Sequence, residues 1–280
     1  MTDQNLAAAS PLPLGDPALL AALADAALKA GAVILRIRKE GIGTRYKADE
    51  SPVTAADLAA EEILRAELAR ILPGVPVIAE EAVSQGRGET PAETFLLVDP
   101  LDGTREFVGA SGEFTVNIAL VTAGTPSLGV IYAPAVGKLY AGGSFASGEA
   151  RAFRAARAAG VPSAPESWEP IRCRPIPDHG LVAVASRSHL DPDTQELLAS
   201  LDIAERISCG SALKFGLVAE GRADIYPRLS TVCEWDVGAG HALVRAAGGS
   251  VRRPDGNPLP YGRTEAEYRV PAFIAYGAQG

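Results

Sequence analysis

The segment from residue 95 to residue 105 constrains the fold most, because an apolar run is followed at once by two aspartates. Residues 95–98 predict a short buried strand that ends at Asp99. Pro100 lacks the N–H that a sheet ladder requires, so we expect the chain to turn there and bring Asp102 back beside Asp99. Two carboxylates at a strand end predict a site for hard cations and phosphate together.

Two further acids are expected to join this pair. Glu80 follows the apolar residues 77–79, which predict a neighbouring strand, and Asp236 opens a helix predicted after Trp235. The four acids would form an all-oxygen cluster, which is the ligand set that Mg²⁺ prefers. The chain has three histidines, a number that argues against a histidine-rich metal cage. A simple helix-capping role is the alternative for Asp236.

Asp57 and Thr104 form a second candidate pair. Asp57 stands at the predicted start of a helix, and Thr104 follows the loop aspartates. A carboxylate that is bonded to a hydroxyl can position a water molecule and take its proton. The spacing of Thr54 and Asp57 also fits a capping box, and one aspartate can serve in both roles.

The periodicity of the sequence predicts layered α/β structure. Helical spacing covers residues 16–40 and 54–72, and a meander of antiparallel strands is expected between residues 114 and 142. From residue 181 to residue 276, predicted strands and helices alternate.

The same pattern divides the chain into three parts. Residues 1–146 are predicted to form an N-terminal α+β half that carries most of the metal ligands. Residues 147–180 are rich in Ala, Arg and Pro, and predict an irregular connection with room for a strand at its start. Residues 181–280 are predicted to form a C-terminal α/β half with Asp236 and the substrate-binding residues.

Charge and cysteine content limit the classes of function. The net charge of −8 argues against binding to a nucleic-acid polymer, which draws on Lys and Arg. Three widely spaced cysteines form no disulfide or zinc pattern, which favours a reducing cytoplasm. The N-terminus lacks the features of a signal peptide. Residues 114–137 carry no charge, but their strand alternation and prolines argue against a transmembrane segment.

Four blocks of the sequence, in this order, resemble the inositol monophosphatase superfamily. They are Val-Thr-Ala-Ala-Asp at residues 53–57, Ile-Ala-Glu-Glu at 78–81, Asp-Pro-Leu-Asp-Gly-Thr at 99–104, and Trp-Asp-Val-Gly-Ala-Gly at 235–240. The resemblance spans roughly residues 16–276. It implies a layered αβαβα sandwich with two or three Mg²⁺ ions, and it implies inhibition by lithium at a magnesium position.

The resemblance also implies a role for each matching residue. The implied metal ligands are Glu80, Asp99, Asp102, Asp236 and the carbonyl oxygen of Leu101. Asp57 and Thr104 would activate the attacking water, with Glu80 as a further catalytic residue. Gly103, Thr104 and Arg105 would present backbone amides to the scissile phosphate, and attack would be direct, without a phosphoenzyme.

Further segments, at residues 112–120, 186–189, 210–215, 217–221 and 225–228, resemble the 3'(2'),5'-bisphosphate nucleotidases of the bacterial CysQ type. A bisphosphorylated nucleotide keeps one phosphate after losing the other, and Ser211, Lys214 and Arg228 can supply donors and positive charge for it. His189 is expected at the ribose or base, and Asp236 also near the substrate. The predicted reaction is Mg²⁺-dependent hydrolysis of 3'-phosphoadenosine 5'-phosphate, or of 3'-phosphoadenylyl sulfate, in sulfur assimilation.

Several alternatives remain open from the sequence. Inositol monophosphatase or fructose-1,6-bisphosphatase activity would use the same scaffold, and a non-catalytic protein that binds metal or nucleotide would differ in class. The haloacid dehalogenase phosphatases place one residue between their two aspartates, whereas Pro100 and Leu101 both intervene here. Ala212, in place of the nucleotidases' second serine, and the extra acid Glu234 leave the substrate preference open. Monomer and homodimer are both expected possibilities, as is the peripheral association with the inner face of the membrane that is known in some relatives.

Overall fold

The computed structural model describes residues 14, 16–41, 44–46, 52–109, 111–187 and 190–278. Within these ranges there are seven α-helices, and sixteen strands form four sheets. The helices are α1 (Pro17–Glu40), α2 (Ala55–Ile71), α3 (Glu80–Ser84), α4 (Thr104–Val108), α5 (Pro192–Ser200), α6 (Leu213–Ala219) and α7 (Glu234–Ala246). Two short 3₁₀ turns lie at Pro165–Ser167 and Thr264–Ala266.

The strands fall into a larger N-terminal group and a smaller C-terminal group. The first nine are β1 (Thr44–Tyr46), β2 (Pro52–Thr54), β3 (Val77–Ala79), β4 (Thr94–Asp102), β5 (Thr115–Thr122), β6 (Thr125–Ala133), β7 (Lys138–Ser144), β8 (Ala150–Ala156) and β9 (Glu169–Ile171). The others are β10 (Leu181–Ser186), β11 (Ile203–Cys209), β12 (Ile225–Arg228), β13 (Val232–Cys233), β14 (Ser250–Arg252), β15 (Arg269–Val270) and β16 (Phe273–Tyr276).

Helix α1 begins and ends as its sequence predicts. The Asp16 carboxylate accepts a hydrogen bond of 2.7 Å from Ala18 N, and Pro17 occupies the first helical position. Gly41 ends the helix with a φ of 112°, which favours glycine. Within the described residues, α1 is the one helix that is long and apolar enough to cross a bilayer. Its apolar side packs on α2 and β6, which is the environment of a core helix.

Seven strands form the larger sheet, in the order β3-β4-β5-β6-β7-β8-β9. Strands β3 and β4 are parallel, and every later neighbour is antiparallel. The predicted meander between residues 114 and 142 is therefore confirmed. Within residues 147–180, β8 is the strand expected at the start of the connection, whereas β9 extends the sheet where irregular structure was expected. The division of the chain into halves stays a prediction.

The turn that was predicted at Pro100 is a β-bulge within β4. Asp99 pairs with Asn117, and Asp102 pairs with Thr115. The chain therefore advances by three residues along β4 while it advances by two along β5. An extra residue in one strand locally disrupts the ladder and tolerates the missing N–H of proline. Residues three apart on a regular strand point to opposite faces, and the bulge instead brings both aspartates to one site.

The five-stranded sheet has the order β11-β10-β12-β16-β14, in which β11, β10 and β12 are parallel and β16 is antiparallel to both of its neighbours. Helices α1 and α2 cover the outer face of the larger sheet. Helices α6 and α7 lie between the two sheets, and α5 packs on the far side of the smaller one. The αβαβα sandwich predicted for the family is confirmed.

Glycines allow α7 to approach the larger sheet closely. A Cβ on Gly129 of β6 would lie 2.2 Å from the carbonyl oxygen of Ala239 in α7. A Cβ on Gly240 would lie 2.2 Å from the ring of Phe215 in α6. Both distances are below van der Waals contact, so a side chain at either position would force α7 away from its neighbours. Because α7 carries Asp236, this close packing also fixes one wall of the site described below.

Gly129→Ala is therefore expected to lower the free energy of unfolding by about 1–3 kcal/mol, the usual cost of overpacking a core. Urea denaturation at equilibrium measures the change. Ser144→Ala, at the exposed end of β7, is the matched control and should leave the free energy of unfolding within about 0.5 kcal/mol of the wild type. A Gly129→Ala protein as stable as this control would contradict the close contact between α7 and the sheet.

Candidate active site

Two parallel strands deliver acidic residues to one edge of the larger sheet. Ala79 at the end of β3 pairs with Val98 of β4, so Glu80 and Asp99 leave the two strands side by side. Glu80 begins α3, and Asp99 is 1% exposed. The expectation that neighbouring strands bring these two acids together is confirmed.

Asp99, Asp102 and Asp236 form a compact acidic cluster. One carboxylate oxygen of each lies within 4.8 Å of those of the other two. Burial raises the pKa of Asp99 well above its usual value, and the negative charges of Glu80, Asp102 and Asp236 raise it further. The repulsion between like charges held this close in a buried place is relieved either by protonation or by a bound cation.

Asp236 reaches the cluster from α7. It was predicted to open its helix, but α7 begins at Glu234, so Asp236 is the third residue. Its carboxylate accepts a hydrogen bond of 2.8 Å from Cys233 N, and it therefore has the capping role as well. Burial raises the pKa of Asp236 to about 7, with smaller contributions from the charges of Asp102 and Glu80.

Asp57 connects the start of α2 to the loop after β4. One of its oxygens, Oδ2, accepts hydrogen bonds from Thr54 N at 2.7 Å and from Thr54 Oγ1 at 2.6 Å, which forms the predicted capping box. The other oxygen, Oδ1, lies 3.3 Å from the donating Thr104 Oγ1. Burial raises the pKa of Asp57, and the bonds from Thr54 oppose that rise. The structure thus joins the carboxylate and the hydroxyl of the predicted pair.

A cavity of about 240 Å³ lies against the acidic cluster. Its wall includes predicted metal-binding and phosphate-binding residues from both ends of the chain: Glu80, Asp102, Gly103, Thr104, Arg105, Ser211, Lys214, Arg228 and Asp236. Gly103 has a φ of 88°, a left-handed conformation from which α4 starts at Thr104. The turn after the second aspartate is as predicted, and it borders the cavity.

The basic side of the cavity comes from the C-terminal part of the chain. Lys214 is 4% exposed, its ammonium donates to the Ser211 carbonyl at 2.6 Å, and it lies 5.3 Å from the centre of the Tyr226 ring. Burial raises the pKa of Asp102, while the Lys214 charge works to lower it, so the two groups face each other. The Arg228 guanidinium donates to Ser230 Oγ at 2.8 Å.

The remaining predicted site residues are His189 and Leu101. His189 lies outside the described residues. Leu101 N donates to Asp99 Oδ1 at 2.9 Å, and the Leu101 carbonyl accepts a long bond of 3.4 Å from Thr104 Oγ1. A carbonyl oxygen has two lone pairs, so this contact leaves capacity for a metal ion.

Sequence reasoning missed some polar residues that support the cluster. Asn117 of β5 is 1% exposed, and its amide donates to Asp102 Oδ2 at 3.5 Å. Glu61 of α2 accepts a hydrogen bond of 2.7 Å from Glu81 N and so anchors the turn that begins with Glu80. The register of Asn117 opposite Asp99 was the available signal, but it requires knowledge of the strand pairing.

The extra acid Glu234 has a structural role. It is fully buried, and its two oxygens accept hydrogen bonds from Gly262 N at 2.7 Å and Arg263 N at 2.9 Å. This carboxylate therefore holds the segment that follows β14 against the start of α7.

The donor set fits a divalent, oxygen-preferring cation. The clustered side-chain atoms are carboxylate oxygens, and no histidine or cysteine belongs to the group formed by the described residues. Hard ions such as Mg²⁺ and Ca²⁺ take such ligands, whereas zinc and copper favour nitrogen and sulfur. The site can therefore hold a metal ion beside a cavity that also presents positive side chains.

Fold and site define a metal-dependent enzyme scaffold of a known kind. The inositol monophosphatase family matches residues 17–272, and the chain belongs to this family. The family is metal-dependent, and the acidic cluster is where this chain can hold a metal ion.

Individual relatives are similar over most of their length. Over 215 residues the chain is 42% identical to the 3'(2'),5'-bisphosphate nucleotidase CysQ of Escherichia coli strain K12, which covers 77% of this chain and 81% of that protein. The crystal structure of CysQ from Bacteroides thetaiotaomicron matches with a TM-score of 0.78 at 38% identity, over 94% of this chain and 98% of that one. The inositol monophosphatase of Anabaena (Nostoc) sp. PCC 7120 matches less well, with a TM-score of 0.68 at 28% identity over 93% of this chain and 90% of that one.

Proposed function

We propose that this protein is a Mg²⁺-dependent 3'(2'),5'-bisphosphate nucleotidase. It hydrolyses the 3'-phosphate of 3'-phosphoadenosine 5'-phosphate to give AMP and phosphate, and it accepts 3'-phosphoadenylyl sulfate as a second substrate. The main support for this proposal is the set of charged residues around the cavity. The same cavity has an acidic cluster on one side and the cations Lys214 and Arg228 on the other, which suits a substrate with two phosphates. The similarity to the CysQ nucleotidases supports it.

The metal ligands in this proposal are Glu80, Asp99, Asp102, Asp236 and the Leu101 carbonyl oxygen. Two or three bound Mg²⁺ ions would neutralise the phosphoryl oxygens and lower the pKa of water. The chain's own residues bind and orient the other groups. The first turn of α4, at Gly103, Thr104 and Arg105, would contact the scissile phosphate.

Asp57 and Thr104 would handle the proton of the attacking water. The Thr104 hydroxyl lies 3.3 Å from Asp57 Oδ1 and 3.4 Å from the Leu101 carbonyl oxygen, so it can donate to Asp57. As water attacks phosphorus, its proton passes to Thr104 Oγ1 while the threonine proton passes to Asp57. Burial raises the pKa of Asp57, which makes it a better proton acceptor than an exposed aspartate.

A substrate panel tests this function. Phosphate release is measured from 3'-phosphoadenosine 5'-phosphate, inositol 1-phosphate and fructose 1,6-bisphosphate, each with Mg²⁺ and with EDTA. We expect the highest kcat/KM for the nucleotide and no release in EDTA. A higher kcat/KM for the inositol or sugar phosphate would assign one of the sister activities instead. No Mg²⁺-dependent release from any of the three would contradict an enzymatic role.

Lys214→Ala is expected to raise the KM for 3'-phosphoadenosine 5'-phosphate by about 10- to 100-fold, since a hydrogen bond to a charged group contributes about 1.5–3 kcal/mol. The kcat should change much less, because Lys214 is assigned to the phosphate that is retained. Lys39→Ala, which removes an exposed lysine in the last turn of α1, is the matched control. If Lys214→Ala lost as much kcat on simple monoesters as on 3'-phosphoadenosine 5'-phosphate, Lys214 would have no role in this specificity.

We also propose that the protein acts in the cytoplasm. Cys173 and Cys209 are buried thiols outside any disulfide, and burial raises the pKa of Cys173 to about 12 and of Cys209 to about 11. Thiols with such high pKa values are unreactive, which agrees with packing rather than catalytic roles.

A further inference from the structure

Glu113 connects the loop after α4 to the turn between β11 and α6. Its Oε2 accepts a hydrogen bond of 2.7 Å from Gly210 N. The guanidinium of Arg187 binds the same carboxylate in a bidentate way, with Nη1 at 3.0 Å from Oε2 and Nη2 at 3.1 Å from Oε1. Arg187 also donates to the Ser208 carbonyl at 3.1 Å, so one carboxylate orders two segments of the C-terminal part of the chain.

The backbone of Glu113 makes a second connection through Ser211. Ser211 Oγ lies 2.6 Å from the Glu113 carbonyl oxygen and 2.8 Å from the Asp102 carbonyl oxygen. Both partners are acceptors, so the serine proton is shared between them. Ser211 therefore joins β4, which carries Asp99 and Asp102, to the turn that precedes α6, the helix of Lys214.

The turn at Gly210 and Ser211 is held in an uncommon conformation. Ser211 has a φ of 50°, which is costly for a residue with a side chain. A Cβ on Gly210 would lie 2.8 Å from the Glu113 carbonyl oxygen, and one on Gly103 would lie 2.3 Å from Ser211 Oγ. Such a backbone persists when the surroundings over-determine it, and here Glu113 holds the turn together with Asp102.

The connected residues border the cavity, and Ser211 and Asp102 are in direct contact there, with 2.8 Å between Ser211 Oγ and the Asp102 carbonyl oxygen. Asp102 and Gly103 stand on the side of the acidic cluster, and Ser211 and Lys214 stand on the basic side. Lys214 donates to the Ser211 carbonyl at 2.6 Å, so the position of its ammonium depends on the conformation of Ser211. Glu113 does not line this cavity and acts on it through Ser211 and Gly210.

We propose that Glu113 is a positioning residue that sets the distance between the acidic and basic sides of the cavity and thereby selects substrates with two phosphates. This inference rests on the proposed function and deepens it. A phosphate held by the metal ligands and another held by Lys214 require a fixed spacing. Displacement of a binding group by about 1 Å can reduce turnover about 10²-fold.

The experiment compares Glu113→Ala with the wild type on two substrates. One is 3'-phosphoadenosine 5'-phosphate, and the other is adenosine 3'-monophosphate, which lacks the second phosphate. We expect the ratio of the two kcat/KM values to fall about 10-fold or more, through a higher KM for the bisphosphate. The kcat for the monophosphate should stay within about 3-fold of the wild type. A simple loss of folded protein would lower both activities together and leave the ratio unchanged.

Two more variants provide an intermediate substitution at Glu113 and a control at another acid. Glu113→Gln keeps an oxygen that can accept from Gly210 N but loses the charge that holds Arg187, so its ratio should lie between those of the wild type and Glu113→Ala. Glu149→Ala removes an exposed acid that pairs with Arg151, and its ratio should equal that of the wild type.

Failure of the inference is distinct from failure of the proposed function. A wild-type protein without preference for the bisphosphate would contradict the function itself. A wild-type protein with that preference, and a Glu113→Ala variant that keeps the same ratio, would overturn the role of Glu113. If Glu113→Ala does not fold, an unchanged ratio in Glu113→Gln would overturn it equally.

Discussion

Asp99→Asn is expected to lower kcat for phosphate release by about 10³-fold or more, while the chain keeps its fold. Asp99 is 1% exposed, and its carboxylate lies with those of Asp102 and Asp236 within 4.8 Å. An amide has nearly the same shape, but it carries no charge and offers one oxygen instead of two. The metal ligand and its electrostatic contribution are therefore lost without a cavity in the core.

Thermal unfolding distinguishes this loss from simple destabilisation. Mg²⁺ binds the folded state, so it should raise the Tm of the wild type and have a much smaller effect on Asp99→Asn. In EDTA the variant should be at least as stable as the wild type, because one of several mutually repelling charges has been removed.

Asp255→Asn is the matched control for this substitution, since Asp255 lies in an exposed turn. It should keep both its kcat and its Mg²⁺-dependent rise in Tm. An Asp99→Asn protein with near wild-type turnover, or with an undiminished response to Mg²⁺, would remove Asp99 from the metal site.

Asp57→Asn should lower kcat by about 10²- to 10⁴-fold, the range for loss of a general base. The amide cannot take the proton that Thr104 passes on. KM should change little, because Asp57 is assigned to the attacking water and not to the substrate. Steady-state phosphate release at saturating Mg²⁺ measures both constants.

The capping role of Asp57 requires its own control. Asp57 Oδ2 accepts two hydrogen bonds from Thr54, and part of any loss could come from a weakened helix start. Thr54→Ala removes the hydroxyl of the capping box and should cost about 1 kcal/mol of stability, with kcat reduced less than about 10-fold. If Thr54→Ala lost as much activity as Asp57→Asn, capping alone would explain the effect.

The proximity of Glu80 and Asp99 was predictable because its information is local, whereas Asp236 joins Asp99 and Asp102 from the distant helix α7. Glu80 and Asp99 each follow a short apolar run, and parallel strands end at one edge of a sheet. The start of α1 at Pro17 was equally predictable, because Asp16 supplies the cap within the same segment.

Features that depend on pairing with distant segments were not predictable in this way. The bulge at Pro100 exists because two residues of β4, Pro100 and Leu101, lie opposite one residue of β5, a relation that the residues 99–102 alone do not encode. The short strand Glu169–Ile171, which was not expected, pairs with β8 across an intervening segment of the chain. The contact between Ser211 and Asp102 joins residues that are 109 positions apart.

A crystal of this protein soaked in Mn²⁺ tests metal binding at the acidic cluster most directly, because Mn²⁺ binds oxygen ligands as Mg²⁺ does and gives an anomalous signal. We expect anomalous density between the carboxylates of Asp99, Asp102 and Asp236, and its loss in Asp99→Asn crystals. Saturating Mn²⁺ that leaves this cluster empty, or that binds only elsewhere on the protein, would contradict this expectation.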